Sequence, residues 1–157
     1  MAFTLDDVLN GVRASRQFFL KHLNGLREDQ WDWRPGPECK TIRETLAHLI
    51  TDDRAALQSL QTGEEPDYDA LQESERDIAR LRVLLEESFT ALCAYIQGRY
   101  AGAPLDTEVC SYGGKQKLGR GVAYLSSEDF YHAGQVAMIR IATDPAWDYY
   151  ASIYGGE

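Results

Sequence analysis

Histidine is scarce in this chain, with three in 157 residues. Cysteine is as scarce, and Cys39, Cys93 and Cys110 stand far apart without CxxC spacing. An odd, scattered set points to free thiols in a reducing cytoplasm rather than to a disulfide framework. Basic residues are in deficit: 16 Lys and Arg face 25 Asp and Glu, for a formal net charge of -9. That balance argues against nucleic acid, whose phosphates need a basic surface, and against anionic membranes. No apolar run is long enough to cross a bilayer. Met1 to Asp7 has no basic stretch leading into an apolar one, so no signal peptide is expected. No nucleotide-binding glycine loop is present. These absences leave one cytoplasmic domain, residues 1–157, long enough to bury a core unaided.

What is present is helical periodicity. Thr4 and Asp7 resemble a capping box, and Leu5, Val8, Val12, Phe19, His22 and Leu26 form a stripe, predicting a helix from Leu5 to Leu26. Trp31, Trp33, Pro35, Gly36 and Pro37 then interrupt the pattern. Thr41-Ile42-Arg43-Glu44 is a capping box opening a second helix, whose apolar positions are Ile42, Leu46, Leu49, Ala56 and Leu60. Gly63, Pro66 and the intervening acids form a solvated loop. A third helix is expected from Leu71 to Gln97, closed by Gly98. Two short alternating runs around Gly113-Gly114, within Asp106 to Leu118, predict a small hairpin with a primed turn. A fourth helix is expected from Val122 to Ala142, stopped before Pro145. The aromatic tail, Trp147 to Tyr154, is expected to pack on the bundle or on a second subunit. The pattern predicts an all-α four-helix bundle with a small β-hairpin before the last long helix.

Chemistry concentrates on two of these helices. On the fourth, Leu125, Glu128, His132, Val136 and Ile139 follow steps of three, four, four and three. This puts two ionisable groups on the face that must be buried. An unpaired buried carboxylate is costly, and a divalent cation shared with His132 compensates it. His48, flanked by Leu46 and Leu49 on the second helix, supplies a third ligand across a helix–helix interface. The alternative is a Glu128–His132 hydrogen bond with His48 as a satisfied core histidine. Asp52, one turn beyond His48, is a ligand or an outer partner. Asp129 points about 100° away from Glu128 and is expected to be a solvated carboxylate. His22 is expected in the core. Cys93 is expected to pack within a helix, and no catalytic cysteine is nominated.

These stretches resemble the DinB family, which includes hydrolases and bacillithiol S-transferases. Trp31-Asp32-Trp33-Arg34-Pro35 followed by Thr41 to His48 resembles the family's tryptophan–proline loop and first metal histidine. The Tyr112-Gly113-Gly114 region and Glu128-x-x-x-His132-Ala133-Gly134-Gln135, with Arg140 beyond, resemble its later segments. The family's triad is three histidines. Its first and third fall on His48 and His132, while its second falls on Glu128. Tyr131 and Ala133 also stand where histidine and arginine are usual. The resemblance implies a divalent ion, zinc or nickel ahead of manganese or iron, held by His48, Glu128 and His132. It implies a small-molecule substrate and one of two chemistries. One is transfer of a low-molecular-weight thiol to an electrophile in detoxification; the other is hydrolysis by metal-bound hydroxide. Gln135 is expected to bond backbone or an outer group, and no separate general base emerges beyond Asp52. The competing reading is a metal-free interaction protein that dimerises through Trp147, Tyr149, Tyr150 and Tyr154. A homodimer fits either reading.

Overall fold

A computed structural model describes residues 3–111 and 114–155. Helix α1 spans Leu5–Lys21 and opens on the expected capping box, with the Thr4 hydroxyl accepting from the Asp7 amide and the Asp7 carboxylate accepting from the Thr4 amide. It stops short of Leu26 because the chain turns away through Gly25, whose φ of +70° favours glycine. Helix α2, Ile42–Thr62, begins on the Thr41–Glu44 box and ends at Gly63, φ +77°.

The single helix expected from Leu71 to Gln97 is two helices, α3 at Tyr68–Leu71 and α4 at Ile78–Arg99. Between them the carboxylates of Glu73 and Glu75 accept the amides of residues 74–77, which a continuous helix would have used. Asp77 then caps α4 by accepting from the Arg80 amide. These local side-chain bonds compete with the helix ladder, and here they win. Helix α4 runs through Gly98 instead of closing there.

Strands β1, Glu108–Ser111, and β2, Gly114–Lys117, pair antiparallel in the register Ser111↔Gly114 to Glu108↔Lys117. Gly114 is therefore a strand residue and not part of the turn, while Tyr112 and Gly113 lie outside the described residues. Helix α5, Leu118–Thr143, starts ahead of the expected Val122. Its first amides, on Leu118 and Gly119, donate to the Thr107 and Leu105 carbonyls. The tail forms α6, Tyr149–Tyr154, which folds onto α1 with Lys21 Nζ donating to the Ile153 carbonyl at 3.2 Å. No described helix is long and apolar enough to cross a membrane.

The four long helices form two parallel pairs. Contacts between α2 and α4 keep an offset of 35 residues, from Asp53–Ser88 to Leu60–Tyr95. Arg16 meets Asp129 at an offset of 113 residues, and α1 likewise runs beside α5. The pairs oppose one another, so that Leu5, Leu9 and Val12 share an apolar cluster with Leu92 and Ile96. Parallel neighbours need a long return, and residues 63–77 provide it along the flank of α2. The Asp67 amide donates to the Gln58 side chain, the Glu73 amide donates to the Thr51 hydroxyl, and Arg43 donates to the Arg76 carbonyl.

Each helix has a seam stepped alternately by three and four residues, and each seam carries a polar position at the same level, with His132 a second one on α5. The four at that level are Arg16 in Leu9-Val12-Arg16-Phe19, Asp53 in Leu46-Leu49-Asp53-Ala56, Ser88 in Leu81-Leu85-Ser88-Leu92, and Asp129 in Val122-Leu125-Asp129-His132-Val136. The four meet in one layer between two apolar clusters. Arg16 donates two hydrogen bonds of 3.0 Å to Asp53 and one of 2.7 Å to Asp129. Ser15 and Ser88 donate to the same carboxylates. Phe89 lies 4.2 Å beneath the guanidinium. Asp129 is thus not the solvated carboxylate expected from sequence; it is 0% exposed. The true seam of α5 steps through 129, and a guanidinium from α1 compensates it. Burial, helped by the neighbouring Asp53 carboxylate, pushes the Asp129 carboxyl above its ordinary range, with Arg16 opposing.

Removing one partner of a buried ion cluster leaves uncompensated charge, typically at a cost of about 3–5 kcal/mol. We therefore expect Arg16→Met, which keeps most of the side-chain volume, to lower unfolding stability by about that amount in urea titrations. A loss below about 1 kcal/mol would show that the fold does not rely on the cluster.

Candidate metal centre

His48 sits in the second turn of α2 and Glu128 and His132 in the middle of α5, beside the polar layer. One donor atom from each of the three lies within 4.8 Å of the others. Glu128 Oε2 is 3.6 Å from His132 Nε2 and 3.9 Å from His48 Nε2. The two imidazole rings meet edge to face, 5.0 Å between centroids. Neither nitrogen–oxygen separation is a hydrogen bond. Donors about 2.1 Å from a tetrahedral ion stand roughly 3.4 Å apart, so the two Glu128 separations are a few tenths of an ångström wider than ligands closed around a shared cation.

His132 supplies the sharper test. It is nearly fully buried, and its Nδ1 lies 2.6 Å from Gln135 Oε1. With an amide oxygen accepting there, the ring proton resides on Nδ1 and Nε2 keeps its lone pair. That Nε2 is buried without a hydrogen-bond partner. Buried polar atoms are rarely left unpaired, and a cation facing the Nε2 lone pair resolves this one. Gln135 is thus the outer partner that orients a ligand, as expected of metal-bound histidines. Facing His132 first and then His48, Glu128 is held at about 2, far below the usual carboxylate range, although burial opposes the shift. The carboxylate is ionised and ready to bind a cation.

Asp52 joins this neighbourhood without joining the triad. Its Oδ2 is 3.6 Å from His48 Nε2, and burial raises its carboxyl while His48 opposes. It is a neighbour of His48 outside the three-donor group. His22 is core as expected, its Nδ1 2.8 Å from the Phe18 carbonyl. Burial pushes the Cys93 thiol up to about 11, in keeping with a packing role.

A cavity of about 590 Å³ opens onto His48, lined by Ala47 and Thr51 of α2, Tyr68 of α3 and the strap bearing Glu73 to Arg76. A larger groove of about 780 Å³ runs between α1 and α4 and contains none of the triad. Of the two, the smaller cavity reaches a member of the candidate triad. Tyr68 has no counterpart in the sequence reading. Its only signal is Asp67, which caps α3 through the Ala70 amide. Burial first, then the nearby Asp52, raises the Tyr68 hydroxyl's pKa.

Outer-sphere partners of metal histidines typically contribute 10–100-fold in affinity. We expect Gln135→Leu to weaken cobalt or zinc binding by about that factor with helical circular dichroism unchanged. Unchanged affinity would mean that Gln135 does not set the tautomer of His132.

A search of curated proteins returns no match. The family model of the DinB superfamily matches residues 12–136, a span that takes in all three triad residues and the polar layer. The chain belongs to the DinB superfamily.

Proposed function

We propose that this protein is a divalent-metal-dependent S-transferase that activates a low-molecular-weight thiol against an electrophile. The observation that carries the reading is the partnerless, buried Nε2 of His132 facing an ionised Glu128, with His48 completing the set. Two neutral imidazoles and one carboxylate suit zinc, nickel, manganese or iron, and they leave coordination positions free on the cavity side. A divalent ion bound there supplies a net positive centre that favours the anionic form of a thiol or a water molecule.

The chain's own residues do the rest. His48, Glu128 and His132 hold the ion. Lys40, Arg43 and Arg76 stand among acids on the cavity wall and suit a polar thiol that carries its own charges. In the transfer, sulfur forms a bond to an electrophilic carbon, the leaving group departs with its electron pair, and the thiol proton passes to solvent. Asp52 supports a second reading, hydrolysis, because a partly buried carboxyl beside the centre can accept a proton from water.

Purified protein is expected to take up about one divalent ion per chain on elemental analysis after incubation with zinc or nickel. His132→Ala abolishes binding and Glu128→Gln weakens it at least about 10-fold, with helicity retained. Binding that survives His132→Ala would place the ion elsewhere. With cysteine as probe thiol, loaded protein consumes chlorodinitrobenzene and chelator stops it. Turnover of a nitrophenyl ester without thiol would favour the hydrolase, and neither activity in the loaded protein would remove both readings.

A further inference from the structure

Helices α1 and α4 run antiparallel as neighbours but touch only lightly. The gap between them is the groove of about 780 Å³, which contains none of the triad. One face of each helix lines it, α1 from Arg13 to Asn24 and α4 from Arg82 to Gln97. On both helices the lining residues step by three and one, so each presents a continuous strip to the gap. Leu20 of α1 and Leu85, Phe89 and Cys93 of α4 make its apolar part. A space of this size suits a small organic molecule.

The lining reverses the charge balance of the chain. Acids outnumber bases by 25 to 16 overall, yet Arg13, Arg16, Lys21 and Arg82 face the groove against Glu86 alone. Arg27, Arg34, Arg43, Arg54 and Arg80 each have a carboxylate partner. Arg13 and Arg82 have none among the described residues. Arg13 reaches across to α4 instead, donating to Gln97 Oε1 at 3.1 Å and to Asn10 Oδ1 on its own helix at 3.3 Å. Neutral acceptors hold its guanidinium in place without cancelling its charge.

Arg16 adds an independent observation. It lies one helical turn beyond Arg13 on the same face, and it is 5% exposed. It donates through Nε to Asp129 and through each terminal nitrogen to Asp53. A guanidinium carries five N–H donors, so three are used and two of a buried group have no acceptor among the described residues. An acceptor seated in the groove beside Arg13 would take them up.

We propose that this groove binds a small amphipathic carboxylate, with its head at Arg13 and Arg16 and its apolar body along Phe89, Leu85 and Leu20. Charge complementarity selects the head, since a chain of net charge -9 otherwise repels anions. A guanidinium fork suits a carboxylate above other anions. The apolar strip selects the body: an inorganic anion would leave Phe89 and the leucines uncovered, and a neutral alcohol would leave both guanidiniums without a counter-charge. The site is separate from the candidate metal centre and does not rest on the proposed activity.

Calorimetric titration of the full chain with dodecanoate, in the presence of chelator, tests this. The wild type is expected to bind one dodecanoate per chain with a dissociation constant below about 100 μM. Octanoate binds at least about 10-fold more weakly, because four methylenes are withdrawn from apolar contact. Dodecyltrimethylammonium, with the same tail and the opposite charge, is also at least about 10-fold weaker. Arg13→Glu raises the dodecanoate dissociation constant at least about 10-fold. So does Thr90→Glu/Ala94→Glu, which places two carboxylates at exposed positions along the α4 wall and keeps helical circular dichroism. His132→Ala leaves dodecanoate binding unchanged. No binding up to about 1 mM overturns the proposal, as does binding that survives both groove variants or a cationic amphiphile that binds equally well. Loss of dodecanoate in His132→Ala overturns it in favour of the metal centre. Self-association that both groove variants abolish, in a chain that takes up no dodecanoate, overturns it in favour of a second copy.

Discussion

One guanidinium holds the bundle in register. Arg16 reaches from α1 to Asp53 on α2 and to Asp129 on α5, while Ser88 and Phe89 of α4 close the same layer. Burial works against a charged arginine, yet the two carboxylates more than offset it, and its pKa rises rather than falls. Apolar packing alone does not fix the axial register of helices, because leucines at one level fit those a turn away. A fork of donors that must meet two particular carboxylates does fix it.

The candidate metal centre inherits that register. Helices α2 and α5 carry its ligands but touch each other only lightly; the close partners are α1 with α5 and α2 with α4. What joins α2 to α5 across the interior is Arg16. Asp53 follows Asp52, and Asp129 follows Glu128, so each clamped residue sits beside a side chain that faces the site. Rotating either helix enough to turn His48 or Glu128 away would pull an aspartate off the guanidinium. The polar layer and the triad are thus two sides of one belt around the bundle, one reaching the groove between α1 and α4 through Arg16, the other reaching the cavity beside His48.

The helices, their capping boxes and the gathering of His48, Glu128 and His132 were legible because each leaves a local mark. Thr41 and Glu44 are three residues apart, and Glu128 and His132 four. Asp129 was misread for a reason that is also local. Placing Glu128 on the apolar stripe breaks the alternation of three and four, whereas 122-125-129-132-136-139 keeps it. The same alternation in α1 runs through Arg16 and in α2 through Asp53, so one charged seam position on each of three helices was a visible sign of a buried cluster. What no single sequence shows is which of these charges meet. That depends on α1 running parallel to α5, which in turn depends on the long return through residues 63–77. The break between α3 and α4 was hidden for a different reason: Glu73 and Glu75 are good helix formers, and only their bonds to neighbouring amides reveal the strap.

The glutamate at 128 also suits its surroundings electrostatically. Three neutral imidazoles would leave a bound divalent ion with its full charge, in a region where Asp52 already lies 3.6 Å from His48. Glu128 lowers that charge by one and still leaves it positive. This narrows the preference toward an anionic partner without abolishing it. It also places a carboxylate oxygen between the two imidazoles, 3.6 Å from His132 Nε2 and 3.9 Å from His48 Nε2. The carboxylate thus preorganises the site in the absence of the ion, while Gln135 and the polar layer fix the geometry that the ion would find.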